Sequence, residues 1–137
     1  MLAAVTAAPE PPPLTLTLVD GTLAVARLDP GEGVPGWVDW SAPLVSVTRT
    51  ADELSVVCAD ARVPEDAKAE RGWRAFRVEG PLDFALTGIM ARLSGALADA
   101  NIPLFALSTY DTDYVLVRAA DAERAADALG AVAAVRR

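Results

Sequence analysis

Histidine is absent from this 137-residue chain, and cysteine occurs once, at Cys58. Without histidine there is no Ser-His-Asp or Cys-His nucleophile, and the commonest zinc ligand is missing. A lone cysteine forms no intrachain disulfide. Within the apolar run Leu54–Ala59, Cys58 reads as a small buried hydrophobe. A reducing cytoplasm is the compartment expected. Positive charge is scarce, with 12 Lys and Arg against 19 Asp and Glu and a formal net charge of -7. No basic stripe is present, so nucleic acid is not an expected partner, and an anionic membrane surface would repel the chain. No apolar run approaches the roughly 18 residues that span a bilayer. The N-terminal MLAAVTAAPEPPP lacks the positive start of a secretory signal.

What remains is globular in composition, 53% hydrophobic and 23% charged. The length suits one domain, or two very small ones that share a core. Residues 1–13 are expected to be a disordered, Pro-rich leader outside the core. Leu14–Val19 alternates Leu and Thr as a half-buried strand does. Asp20-Gly21 then reads as a two-residue hairpin turn into a partner strand, Leu23–Leu28. Val34–Trp40 has room for one helical turn, with Trp37 and Trp40 either packed over a sheet or forming an aromatic wall. Leu44–Thr48 and Leu54–Ala59 form the next strand pair. Pro64–Gly72 is polar, a surface helical turn or loop and a seam between two halves.

Trp73–Glu79 resumes the strand pattern, with Trp73, Ala75 or Phe76, and Val78 facing inward, and Gly80-Pro81 ends it. The clearest helix covers about Phe84 to Ala100, where Leu86, Ile89, Met90, Leu93 and Leu97 make one apolar face. Asp83 is its expected N-cap and Asn101 its left-handed stop. Gly88 inside that helix allows either close packing or the approach of a ligand. Asp121 is expected to cap a second helix, Ala122–Leu129, which Gly130 stops before a last strand, Ala131–Val135.

The stretch Ile102–Arg118 organises the chain. Two short apolar runs, Ile102–Leu107 and Tyr114–Val117, flank the turn Ser108-Thr109-Tyr110-Asp111-Thr112-Asp113. Two carboxylates, three hydroxyls and a phenol crowd that turn, more than reversing the chain requires. It is the expected place for a polar ligand. Asp111 and Asp113 either contact the ligand or cap the turn through its backbone N–H groups. Ser108 and Thr109 either do likewise or satisfy the strand ends. Asp-x-Asp alone is a weak metal signal, since a hard cation wants about six oxygen ligands. No further catalytic signal accompanies the carboxylates, so an enzyme is not expected. The order from residue 73 onward is βαββαβ, a ferredoxin-like plan with both helices on one face of an antiparallel sheet. Residues 14–72 repeat it in degenerate form. The fold class expected is therefore α+β with tandem ferredoxin-like modules, 14–72 and 73–137.

Ser46–Asp60, Gly72–Leu93 and Phe105–Arg118 carry a family resemblance, the Ser-Thr-Tyr-Asp-Thr-Asp-Tyr run most specifically. Residues 73–137 resemble an ACT domain, the small regulatory module of amino-acid metabolism. The chain as a whole is similar to small stand-alone proteins with tandem ACT-like modules, and to the ACT modules of aspartokinases and cytosolic arginine sensors. The resemblance implies a non-catalytic module without cofactor or metal that binds a free amino acid or similar small ligand between modules, commonly as a homodimer. Ligand contacts would come from Asp83, Thr87, Gly88 and Ile89 after the first strand, and from Ser108, Thr109, Asp111 and Asp113 in the opposite turn. Backbone N–H groups at a helix start suit a ligand carboxylate, and a carboxylate across the gap suits an ammonium. The alternative is a protein-interaction module that binds no ligand.

Overall fold

The computed structural model describes residues 13–83 and 87–137. Residues 1–12, which include nearly all of the expected leader, and Phe84, Ala85 and Leu86 lie outside the described residues. Eight strands and two α-helices follow in order: β1 Thr15–Leu18, β2 Leu23–Leu28, β3 Ser46–Arg49, β4 Leu54–Ala59, β5 Ala69–Val78, α1 Ile89–Asp99, β6 Phe105–Ser108, β7 Asp113–Arg118, α2 Ala122–Leu129 and β8 Ala134–Arg136. The α+β class and the tandem ferredoxin-like plan stand.

The ten-residue strand β5 is the hub. One of its edges pairs with β7, from Trp73↔Arg118 to Arg77↔Tyr114. The other edge carries β2 against its first half (Leu23↔Trp73, Ala26↔Ala69) and β1 against its second half (Leu16↔Val78, Leu18↔Phe76). β4 and β3 extend the sheet beyond β2, β6 extends it beyond β7, and β8 lies parallel to β1. The first half of β5 thus serves as fourth strand to β2, β3 and β4, while its second half is first strand to β6, β7 and β8. β1 is inserted between β5 and β8, a position that a simple ferredoxin-like sheet does not contain.

Several expectations are corrected here. Asp20-Gly21 is not a hairpin: β1 and β2 both run antiparallel to β5 along one edge, and the dipeptide is a jog between them. A type I′ hairpin needs positive φ at both central residues, and only Gly21 has it, at φ 92°. Val34–Trp40 forms non-helical turns, with Trp37 half-buried and Trp40 65% exposed, so Trp40 does not pack on the sheet. Ala69–Gly72 already belongs to β5 rather than to a polar loop. The long helix starts at Ile89, because Gly88 adopts φ 80°, a left-handed conformation outside any right-handed helix. Gly88, not Asp83, is therefore the N-cap residue, and it sits at the helix entrance rather than within it.

Asn101 does stop α1 at φ 57°. The Asn101 N–H donates to the Ala98 carbonyl and the Ile102 N–H to that of Leu97, with Leu97 and Ile102 buried side by side in sequence register as a Schellman motif requires. That closure delays β6 to Phe105, while the turn after α2 delays β8 to Ala134. α2 spans Ala122–Leu129 as expected, although the Asp121 carboxylate pairs with Arg124 instead of capping.

Both sheet faces are covered, as apolar residues in both phases require. Leu93 and Leu97 of α1 and Ala125 and Leu129 of α2 bury Leu16, Phe76, Val78, Val115 and Val117. On the opposite face, Leu44 joins Leu23, Val57, Trp73, Ala75 and Leu116. Trp73 is wedged between Phe105, edge-on at 6.3 Å, and the Arg118 guanidinium 4.3 Å above its ring. A third cluster around Val56 and Cys58 holds β2 to β4.

Candidate functional site

The turn between β6 and β7 is held from inside and out. The Thr109 N–H donates to the Thr112 carbonyl at 2.8 Å, and the Thr112 N–H donates to Thr109 Oγ1 at 3.3 Å. Thr109 therefore caps the turn, and neither Asp111 nor Asp113 bonds a turn N–H among the described residues. Thr112, 5% exposed, is the buried polar residue of the described chain, and its hydroxyl donates to the Val78 carbonyl at 2.5 Å. Ala75 and Glu79 bond to β1, so Val78 turns its carbonyl the other way, toward β7. The Thr112 hydroxyl thus replaces the next rung of that ladder. The Leu82 N–H donates to the Asp111 carbonyl at 2.7 Å and ties the segment after β5 to the same turn. Gly80 is needed for this approach, since a Cβ there would stand 3.0 Å from the Asp111 carbonyl oxygen.

Between the docked turn and the start of α1 lies a cleft of about 310 Å³. It brings together Asp83, Gly88, Ile89, Ser108, Thr109, Asp111 and Asp113, and Leu82, Met90, Tyr110 and Thr112 complete its lining. Thr87 is exposed on the neighbouring segment and does not line it. A Cβ on Gly88 would meet nothing within 4 Å, so this glycine serves backbone conformation and not close packing. The Gly88 carbonyl accepts the Arg92 N–H at 3.0 Å, the first bond of α1, and Gly88 offers no side chain to cap the helix's leading N–H groups. Across the gap, Ser108 Oγ donates to Asp113 Oδ1 at 2.6 Å and holds that carboxylate at the cleft wall. The Asp111 carboxylate meets no donor among the described residues. Among the described residues the lining carries three carboxylates and no Lys or Arg.

Leu82, Met90, Tyr110 and Thr112 were not singled out beforehand. Thr112 is the instructive omission: a threonine between two aspartates looks like one more turn hydroxyl, and only its reach to Val78 distinguishes it. No group of three or more His, Cys, Asp or Glu among the described residues is placed to hold a metal ion. Elsewhere, burial raises the Cys58 thiol pKa, helped by the nearby charge of Asp60.

This arrangement has relatives. The ACT domain profile matches residues 68–131, and a profile described as an N-terminal domain matches residues 21–66. No curated protein matches significantly. A crystal structure of a protein from Agrobacterium tumefaciens is 38% identical and covers 90% of this chain and 92% of its own, with a TM-score of 0.83. Aspartate kinase from Clostridium acetobutylicum shares the fold at 13% identity and TM-score 0.62, with 82% of this chain aligned to 33% of the kinase. A putative C-terminal regulatory domain of aspartate kinase from Porphyromonas gingivalis shares it at 16% identity and TM-score 0.54, over 87% of this chain and 94% of that domain. Residues 68–131 thus carry an ACT domain. No helix among the described residues is long and apolar enough to cross a membrane.

Proposed function

We propose that this protein is a non-catalytic regulatory module that binds a free amino acid in the cleft between the start of α1 and the β6–β7 turn. The observation that carries the reading is the facing pair of walls: the N–H end of α1, which its N-cap Gly88 has no side chain to bond, on one side, Asp111 and Asp113 on the other. An α-amino acid carries the complementary pair of charges. Its carboxylate would meet the helix start near Gly88 and Ile89, and its ammonium the aspartates, with Ser108 and Thr109 beside them. Asp83 lines the same cleft, and Thr87 precedes Gly88 in the chain. The regulatory domain of an aspartate kinase among the fold relatives supports a controlling role over a catalytic one. The outer edge of β6 pairs with no strand among the described residues, and a second copy could complete the site there as a homodimer.

The test is a thermal-shift screen against the twenty amino acids at millimolar concentration. One amino acid should stabilise the protein by about 2.7 kcal/mol at a hundredfold excess over its Kd. The gain should vanish in Asp113→Asn, which keeps an acceptor for Ser108 and removes the charge. A flat screen on a folded protein would overturn the reading and leave a protein-interaction module, for which the free β6 edge is the natural surface.

A further inference from the structure

At the centre of the sheet face away from the helices stands an arginine with no partner. Strand registers place Arg136, Thr17, Arg77, Tyr114 and Leu107 in one row across β8, β1, β5, β7 and β6. Directly paired residues share a face, and Tyr114 and Leu107 pack on the cluster around Trp73 and Leu116, so the row lies opposite α1 and α2. Arg77 is its middle member, two strands from either edge.

Among the described residues every other arginine donates to an oxygen, and Arg77 forms no hydrogen bond or ion pair. It is half-buried, in a chain with 19 Asp and Glu against 12 Lys and Arg. Burial strips a guanidinium of water that another acceptor must replace. One carboxylate follows on the same face: Glu79, two residues on. It is engaged elsewhere, since its Oε1 accepts Thr17 Oγ1 at 2.9 Å and Arg136 Nη1 at 3.0 Å, which draws it toward β8. The Tyr114 hydroxyl, on the neighbouring strand, also has no partner among the described residues.

Arg77, Tyr114 and Thr17 line a groove of about 530 Å³, and Val19 and Pro43 add apolar surface to it. Asp20 and Arg137 reach the groove as well, and Glu79 does not. Arg137 is already bonded to Glu123 and Asp127 of α2, and Asp20 is exposed, where water and salt screen its charge. Arg77, the half-buried charge, sets the sign of the groove.

We infer that this groove binds the carboxylate of a small organic acid. The Arg77 fork grips the carboxylate, the Tyr114 hydroxyl is a further donor, and Val19, Pro43 and the Tyr114 ring receive the acid's apolar body. The groove shares no lining residue with the cleft at Asp113, and the inference stands whether or not that cleft binds an amino acid.

The experiment titrates sodium benzoate into the full chain as wild type, Arg77→Gln, Tyr114→Phe and Asp113→Asn, followed by amide NMR. Benzamide is the uncharged isostere, sodium phosphate the anion without an apolar body, and sodium chloride the control at matched ionic strength. In wild type, benzoate should move the signals of Thr17, Val19, Arg77 and Tyr114 saturably, and benzamide and phosphate should bind at least about tenfold more weakly. Arg77→Gln should lose the benzoate response and, having no bond to give up, melt within about 2 °C of the wild type. Tyr114→Phe should weaken benzoate several-fold, and Asp113→Asn should leave it unchanged. No saturable shift in wild type, an equal response in Arg77→Gln, benzamide or phosphate binding as well as benzoate, or an Arg77→Gln protein that melts well below the wild type would overturn the inference.

Discussion

Replacing Thr112 by valine keeps the buried volume and deletes one hydroxyl. In the native protein that hydroxyl is the partner of the Val78 carbonyl, and Val78 is fully buried. Removing it strands a buried acceptor, which costs about 1–3 kcal/mol. For a chain of this length each kcal/mol corresponds to roughly 3–4 °C in Tm. Thr112→Val should therefore melt about 3–12 °C lower. Thr112→Ser is the control: it keeps the donor and loses a buried methyl, about 0.8 kcal/mol or roughly 3 °C. Differential scanning fluorimetry of the three proteins ranks them, and amide NMR shows whether the disturbance is confined to residues 78–83 and 108–113. A Thr112→Val protein that melts with the wild type, or above Thr112→Ser, would refute the assignment of this hydroxyl as the rung that docks the turn.

Two further perturbations probe the frame around the cleft. Arg71 bonds Asp60 at 3.1 Å and also the Val63 and Pro64 carbonyls, while Asp60 accepts the Gly72 N–H at 2.8 Å. Both side chains are about two-thirds buried or more. Arg71→Ala should cost about 2 kcal/mol, below the cost of breaking a fully buried pair, and an unchanged urea midpoint would contradict this. Cys58 is held protonated in the folded state by burial and by Asp60, so its folded pKa lies above its unfolded one. The stability this contributes is present below the unfolded pKa and lost as pH rises through the folded pKa. Urea midpoints at about pH 7 and about pH 10 should fall less in Cys58→Ala than in wild type, and equal falls would contradict the shift.

Elements bounded by clear local turn or cap signals were legible from sequence, β4 and α2 to the residue and β7 to within one residue at each end. β4 is an apolar run with turn signals on both sides, β7 follows a hydroxyl-rich turn, and α2 lies between Asp121 and Gly130. Asn101 was readable as a left-handed stop because few other residues tolerate positive φ. The start of α1 was not readable. The apolar period continues upstream of Ile89, and only the backbone of Gly88 shows where the helical path begins. The wall residues of the cleft were legible by type, as hydroxyls and carboxylates beyond the needs of a turn. Thr112 was hidden because its role depends on a carbonyl 34 residues away.

Composition and periodicity alone determined the α+β class, the βαββαβ order of the second half, the buried thiol and the acidic turn. Each depends on the φ/ψ preferences and polarity of neighbours in the chain. Tertiary structure decided which strands share an edge. Asp20-Gly21 is compatible with reversal or continuation, and β5 settled it by bonding both β1 and β2. The same long strand joins the two halves into one sheet, and its end at Val78 receives Thr112 and brings the turn to face α1. Backbone donors and acceptors are alike at every residue, so a sequence names the strands without naming their partners; burial and register across the whole sheet make that choice.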